Sequence, residues 1–288
     1  MKFLSRKQFS DERGETLVSL LVSMALSAVV MAGAVINFSD AWRRSADLRM
    51  MAQTQTEARI ALDLLAYDFR MLGSGMPLGQ SGFQIDDVTL GAAALPVFTS
   101  ATASTIAFRL NETGSGTVLS ADYTPSASAL TASVLSTSSF LPGDTVYLNN
   151  VTTGGTGGMQ GVLSRLTATS LTFNSGFAAT PTTTFKAGSI VERVSLITYA
   201  SPSSGSGITR NTGTGATLLA PRSSFTLKYL TSSGAALTLP LTAATIKNTL
   251  AAIQLQVSVK SSRTLLSGKL YTTTSQQTVA LRNLNMSR

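Results

Sequence analysis

Hydrophobic positions fall into three regimes along the chain. From 16 to 38 apolar residues run without a single charge. About 23 residues at 1.5 Å each are enough to cross a ~30 Å hydrocarbon core. Over 39–72 the pattern changes to a helical period. Leu48, Met51, Ala58, Leu62, Leu65, Phe69 and Leu72 recur in steps of three, four or seven, while Asp40, Arg43, Arg44, Asp47, Glu57, Arg59, Asp63, Asp68 and Arg70 take other faces. That is one amphipathic stripe. No proline interrupts 16–72 and Gly33 is its only glycine. The pattern predicts a single helix of about 55 residues, ended by Gly73-Ser74-Gly75 and then Pro77.

After Gly79 short β-branched and aromatic runs alternate with turn residues. Strands are predicted at 105–110, 144–149, 160–166, 170–174, 189–199, 223–230, 252–260 and 268–280. The alternation is clearest where Ile253, Leu255, Val257 and Val259 face one side and Gln254, Gln256, Ser258 and Lys260 the other. The connections are too short for crossover helices, which favours antiparallel pairing. Residues 78–187 read least clearly, as an insertion or a second sheet. Gly-, Ser- and Thr-rich stretches at 152–158 and 203–207 are connectors.

Composition narrows the chemistry. Charged residues are 12% of the chain, about half the usual share, with Ser, Thr, Gly and Ala in their place. This suits an exported, strand-rich surface. Cysteine and histidine are both absent. Disulfides, thiolate nucleophiles and the usual general base and metal ligands go with them. An enzyme and a cofactor are therefore not expected. The formal charge of +8 is concentrated partly in a leader carrying Lys2, Arg6, Lys7 and Arg13 against Asp11 and Glu12. Elsewhere no basic run exceeds Arg43-Arg44, and nothing interleaves aromatic with basic residues. No nucleic-acid partner is expected.

The leader's positive charge keeps the N-terminus cytoplasmic. Two plain readings of the apolar run are a membrane anchor and a secretory signal cut after Ala34, behind Ala32-Gly33. The amphipathic stripe that continues the run weighs against the signal peptide. The opening itself, Arg13-Gly14-Glu15-Thr16-Leu17-Val18-Ser19-Leu20-Leu21, has a Gly-x-Thr-Leu-Val ahead of a spanning run. It resembles the cleavage and methylation site of type IV prepilins and pseudopilins. The resemblance implies cutting by a prepilin peptidase between Gly14 and Glu15, N-methylation of Glu15, and Thr16, Leu17, Val18, Ser19 and Leu20 in a filament core. The family usually carries an apolar residue after the Gly and a Glu five places after it, where this chain has Glu15 and Ser19. Three accounts are open for Ser19: Glu15 substitutes for the missing carboxylate, the subunit sits at the filament tip, or the position has drifted in a low-copy subunit.

The helix end Ala58–Gly73, the strands of the last third and the closing Thr278-Val279-Ala280-Leu281-Arg282-Asn283 are similar to PilW-type minor pilins and related GspJ-type pseudopilins. The resemblance implies an α+β, type IV pilin-like fold: a leader 1–14, a transmembrane or filament-core half-helix 15–38, an amphipathic half-helix 39–72, and a β-rich head 73–288. It implies a non-enzymatic role in initiating or capping a pilus, with other minor pilins, the major pilin and the inner membrane as partners. The head would be periplasmic, then part of a filament or its tip. A GspJ-like pseudopilin of type II secretion and an anchored, non-polymerising surface-binding protein are the alternatives. Trp42, Arg43 and Arg44, just past the apolar run, form an expected interfacial anchor. Asp86, Asp87, Glu112 and Asp122 lack the spacing of a calcium loop and read as solvated turns. Asn111 and Asn150 head sequons of a kind common by chance in Asn/Thr-rich loops.

Overall fold

The computed structural model describes residues 12–75, 98–126, 128–149, 158–174, 184–202, 206–213, 215–241, 245–246 and 249–281. The leader through Asp11, the pair Asp86-Asp87, Asn150 and the closing Arg282-Asn283 lie outside them. One helix, α1 (Glu12–Arg70, 59 residues), precedes the strands. These are β1 (Phe98–Ala101), β2 (Thr105–Leu110), β3 (Gly116–Val118), β4 (Thr131–Ser133), β5 (Thr145–Asn149), β6 (Gly158–Thr167) and β7 (Ser170–Phe173). They continue with β8 (Ile190–Arg193), β9 (Ser195–Ala200), β10 (Gly207–Asn211), β11 (Ala216–Pro221), β12 (Ser223–Leu230), β13 (Ala252–Thr264) and β14 (Leu270–Ala280). The fold is α+β, a long N-terminal helix followed by antiparallel sheets.

Two compact units divide the chain: Met1–Gln53 with Ser262–Tyr271, and Thr54–Ser261 with Thr272–Arg288. In the second, the helix supplies one wall of the main core. Ala58, Leu62, Leu65, Ala66, Phe69 and Leu72 are buried against β2, β9, β12 and β13. Phe69 meets Phe108 edge-on at 5.6 Å and Tyr199 at 6.0 Å, a favoured aromatic geometry. Phe225, Leu227 and Tyr229 lie opposite Val257, Leu255 and Ile253 in register, all buried. The predicted stripe needs one correction at its start. Leu48 is 65% exposed and Met51 half-buried, whereas Met50 and Thr54 are buried. Thr54, a polar residue on the buried line, breaks the hydrophobic pattern and leaves Leu48 and Met51 as its apparent continuation.

The helix ends as its glycines require. Gly73 and Gly75 both have φ 75°, a region side chains disfavour. The Gly73 N–H donates to the Arg109 carbonyl at 2.9 Å, and Asn111 N–H to Ser74 O at 2.8 Å. A Cβ on Gly75 would stand 2.5 Å from Asn111 Cβ.

Where it is described, the region 78–187 contributes β1 and β2 to the main sheet and otherwise builds a sheet of its own, one of three among the described residues. β3-β8-β5-β6-β7-β4 form a six-stranded sheet, inserted between β2 and β9, which themselves pair directly in the sheet β1-β2-β9-β10-β11. The insertion has its own core of Leu119, Val134, Val146, Leu148, Leu171 and Phe173 among others. β5 is a shared wall. Val146 and Leu148 face the inserted core, and Tyr147 between them faces the main one. The strand predicted at 189–199 is in fact two. β8 belongs to the inserted sheet and β9 to the main one. The switch is fixed at Arg193 and Val194, whose N–H groups donate to Ser115 O (3.0 Å) and Thr145 O (2.9 Å).

Candidate functional site

The backbone is helical across Gly14, Glu15 and Thr16. The side chains beyond are presented outward: Leu17, Val18, Ser19 and Leu20 are exposed, and large apolar side chains from Leu17 to Phe38 remain exposed throughout. This is the one described helix long and apolar enough to cross a membrane by length and composition, and its apolar window has mean hydropathy 2.3 with no part buried. A helix satisfies its own backbone groups in lipid. The Ser23 hydroxyl also donates to the Leu20 carbonyl at 2.9 Å, which lowers the cost of a serine there. Ser19, Ser23 and Ser27 recur every four residues along one stripe, a small-residue pattern that lets helices approach closely. That four-residue repeat was legible in the sequence, though no hydrophobicity measure registers it.

Past the apolar run, Trp42 is 66% exposed, with Arg43 and Arg44 exposed beside it. The same unit contains the tip joining β13 to β14. Its turn is closed by Leu265 N–H to Lys269 O (2.9 Å) and Gly268 N–H to Leu265 O (2.8 Å). Asp47 ties the tip to the helix. Its carboxylate accepts from the Leu266 N–H at 2.9 Å and lies 3.8 Å from the Arg263 guanidinium. Two cavities, of about 260 and 340 Å³, flank Arg263; Trp42 and Ala46 line both. Nothing in the sequence pattern joins residues 42–53 to 262–266. Only the β-hairpin brings them together.

Within the head, a polar cluster locks the end of α1 to the main sheet. Arg210 donates to Asp68 through Nε (3.1 Å) and Nη2 (3.0 Å), to the Tyr199 hydroxyl (2.8 Å) and to Glu112 (2.6 Å). Tyr199 donates to the same Asp68 oxygen. Burial alone would lower the Arg210 pKa, but Glu112, Tyr199 and Asp68 outweigh it and raise it. Its charge-assisted hydrogen bonds make this cluster a clamp between the helix end and the sheet. Tyr147 is pushed up to about 12, chiefly by burial and against the charge of Arg109. Burial also lowers the Arg109 pKa and raises that of Glu192.

The remaining sequence candidates have structural engagements. Asp122 accepts from Lys186 at 2.7 Å and from the Ala187 N–H, and these bonds lower its pKa. Glu112 serves Arg210. Asn111 is buried, and its amide exchanges bonds with the Ser115 backbone at 3.2 and 3.1 Å. Among the described residues no three acidic side chains group as metal ligands do.

Residues 9–35 match the family model described as Prokaryotic N-terminal methylation motif. The match spans the leader's end, Gly14, Glu15 and most of the apolar run. It supports a type IV pilin-like or pseudopilin protein anchored in the membrane of the bacterial envelope. Neither the curated proteins nor the solved structures yield a match.

Proposed function

We propose that this chain is a minor pilin of PilW type that helps to initiate or cap a type IV pilus. The observation that carries the reading is the methylation motif at 9–35 on a helix whose apolar half is wholly exposed. A side-chain surface of that kind needs lipid or other helices around it. Prepilin peptidase would cut between Gly14 and Glu15, and the new amine of Glu15 would be methylated. The helix would then wait in the inner membrane, N-terminus inward and head periplasmic, before moving into a filament core. There contact with like helices replaces lipid, and Ser19, Ser23 and Ser27 allow close approach. Ile60, Leu64 and Tyr67 leave an exposed apolar stripe on the helix, with Ile60 and Leu64 bordering a cavity beside Leu219, Ala220 and Pro221, and the stripe supports further contact with other minor pilins or the major pilin. A GspJ-like pseudopilin would use the same fold and mechanism.

The test is the mature N-terminus. Intact mass and N-terminal sequencing of the membrane-extracted protein are expected to give a methylated Glu15. A start at Val35 or an uncut leader refutes the reading.

A further inference from the structure

We propose that the cleft between α1 and the β13–β14 tip binds the headgroup of an anionic phospholipid, the phosphate lying between Arg49 and Arg263 beside Trp42. The inference rests on the part of the functional reading that places the apolar half of α1 in a membrane, and it needs neither cleavage nor polymerisation.

Position comes first. Trp42 is four residues beyond Phe38, about 6 Å along a helix, and Ala46 about 12 Å. With about 5–7 Å of headgroup layer on each side of a ~30 Å hydrocarbon core, Trp42 falls within that layer and Ala46 just outside it. Arg49 stands one turn further and can extend its aliphatic stem back toward the interface while its guanidinium stays in the polar layer. The second wall comes from a distant part of the chain. Arg263 lies 57% exposed at the tip, and Leu266 and Leu270 beside it are 56% and 48% exposed. Apolar side chains so exposed next to a tryptophan at this depth are suited to the acyl–headgroup boundary.

Charge comes second. Over 40–53 and 262–271 there are five basic residues, Arg43, Arg44, Arg49, Arg263 and Lys269, against Asp40 and Asp47. Asp47 does not compete for the site. Its carboxylate is taken up by the Leu266 N–H and Arg263, and it thereby holds the tip so that Arg263 stays against the helix. Arg49, with no ion pair among the described residues, is left to face the cavity it lines with Ser45, Gln53 and Ser262. Two guanidiniums and small polar side chains fit the phosphodiester of an anionic lipid better than that of a zwitterionic one, whose quaternary ammonium the guanidiniums would repel.

Trp42 is the chain's only tryptophan, so its emission reports on this cleft directly. The full chain in neutral detergent is titrated with phosphatidylglycerol, phosphatidylcholine and inorganic phosphate in turn. A saturable shift of Trp42 emission is expected with phosphatidylglycerol, with a much weaker response to the other two. The double substitution R49Q/R263Q should weaken the phosphatidylglycerol response about tenfold or more, since each basic residue near an anionic surface adds appreciably. Circular dichroism of each variant confirms that the fold is kept, and R43Q/R44Q, which leaves Arg49 and Arg263 in place, should have the smaller effect. Equal responses to the two lipids, or saturation by inorganic phosphate alone, would overturn the proposal. So would an unchanged response in a folded R49Q/R263Q protein. N-terminal sequencing of the same preparations separates this outcome from the pilin reading: a chain cut at Gly14 without lipid preference sinks only the lipid site, and an uncut chain with that preference sinks only the pilin.

Discussion

Arg210 holds Asp68, Glu112 and Tyr199 together, and removing it would leave two carboxylates and a phenol without their shared donor. R210A is expected to lower stability by about 2–3 kcal/mol, and Y199F by about 1 kcal/mol, since Arg210 still pairs with Asp68 in its absence. Chemical denaturation of the full chain in neutral detergent measures both. The buried phenols make a separate prediction about pH. Tyr123, Tyr199 and Tyr229 have raised pKa values, as does Tyr147, pushed up to about 12 from the ordinary 10.0. Burial is the first cause in each. The folded protein therefore keeps protons that an unfolded chain releases, so stability is full below pH 10 and falls as pH rises from there toward 12. The phenolate absorbance of these four is expected to emerge together with the loss of β circular dichroism. Phenolate formation at constant circular dichroism would contradict their burial.

At the scale of elements, α1 does two jobs with two surfaces. Leu65 is fully buried among Leu62, Phe69 and the sheet residues of the main core. A buried leucine contributes roughly 1.5–3 kcal/mol, and an isolated buried carboxylate costs several more against a total of roughly 5–15. L65D should therefore unfold the head. By contrast Y67D, on the exposed side where Tyr67 is 62% exposed, should leave its melting nearly unchanged while impairing filament assembly. Melting followed by circular dichroism, with pilus counts alongside, checks the pair. Equal destabilisation by both would mean that the helix does not present two faces. β5 carries a similar duality. Its three central residues are all buried because two cores flank it, so alternation does not reveal it as a strand edge-on to solvent.

For the whole molecule, the proposed pilin role makes Ser19 the test of its place in a filament. A subunit at the tip has no neighbour above whose amine needs a carboxylate, whereas an embedded one does, because an unpaired charge in low dielectric is expensive. Tip placement predicts that Ser19→Glu is tolerated and that Glu15→Phe is nearly neutral for assembly. If Glu15 substitutes instead, though displaced four residues or about 6 Å along a helix, Glu15→Phe abolishes pili and Ser19→Glu restores them in the double variant. Immunogold labelling at regular intervals along sheared fibres would exclude the tip whatever the variants do.

The sequence by itself determined the elements whose signal is local. The uncharged run, the uninterrupted helix and its Gly73–Gly75 stop follow from residues within a few turns of one another, and so do β2 and β12. The opening motif around Gly14 and Glu15 is equally local, which is why that part of the candidate site was legible. Tertiary structure decided what depends on partners far away in the chain. Thr54 is buried despite its hydroxyl, and Leu48 exposed despite its side chain, because neighbouring packing rather than hydropathy sets burial. The run at 189–199 looks continuous until Ser115 and Thr145, remote in sequence, take the N–H groups of Arg193 and Val194 and divide it between two sheets. Asp68 and Arg210, 142 residues apart, are two ordinary charges until the helix end and β10 meet. Asp47 and Leu266, 219 apart, make a cleft beside Trp42 only once β13 and β14 fold back. Periodicity records how a residue relates to its own element; which element it then touches is fixed by long-range pairing, and no local pattern encodes that.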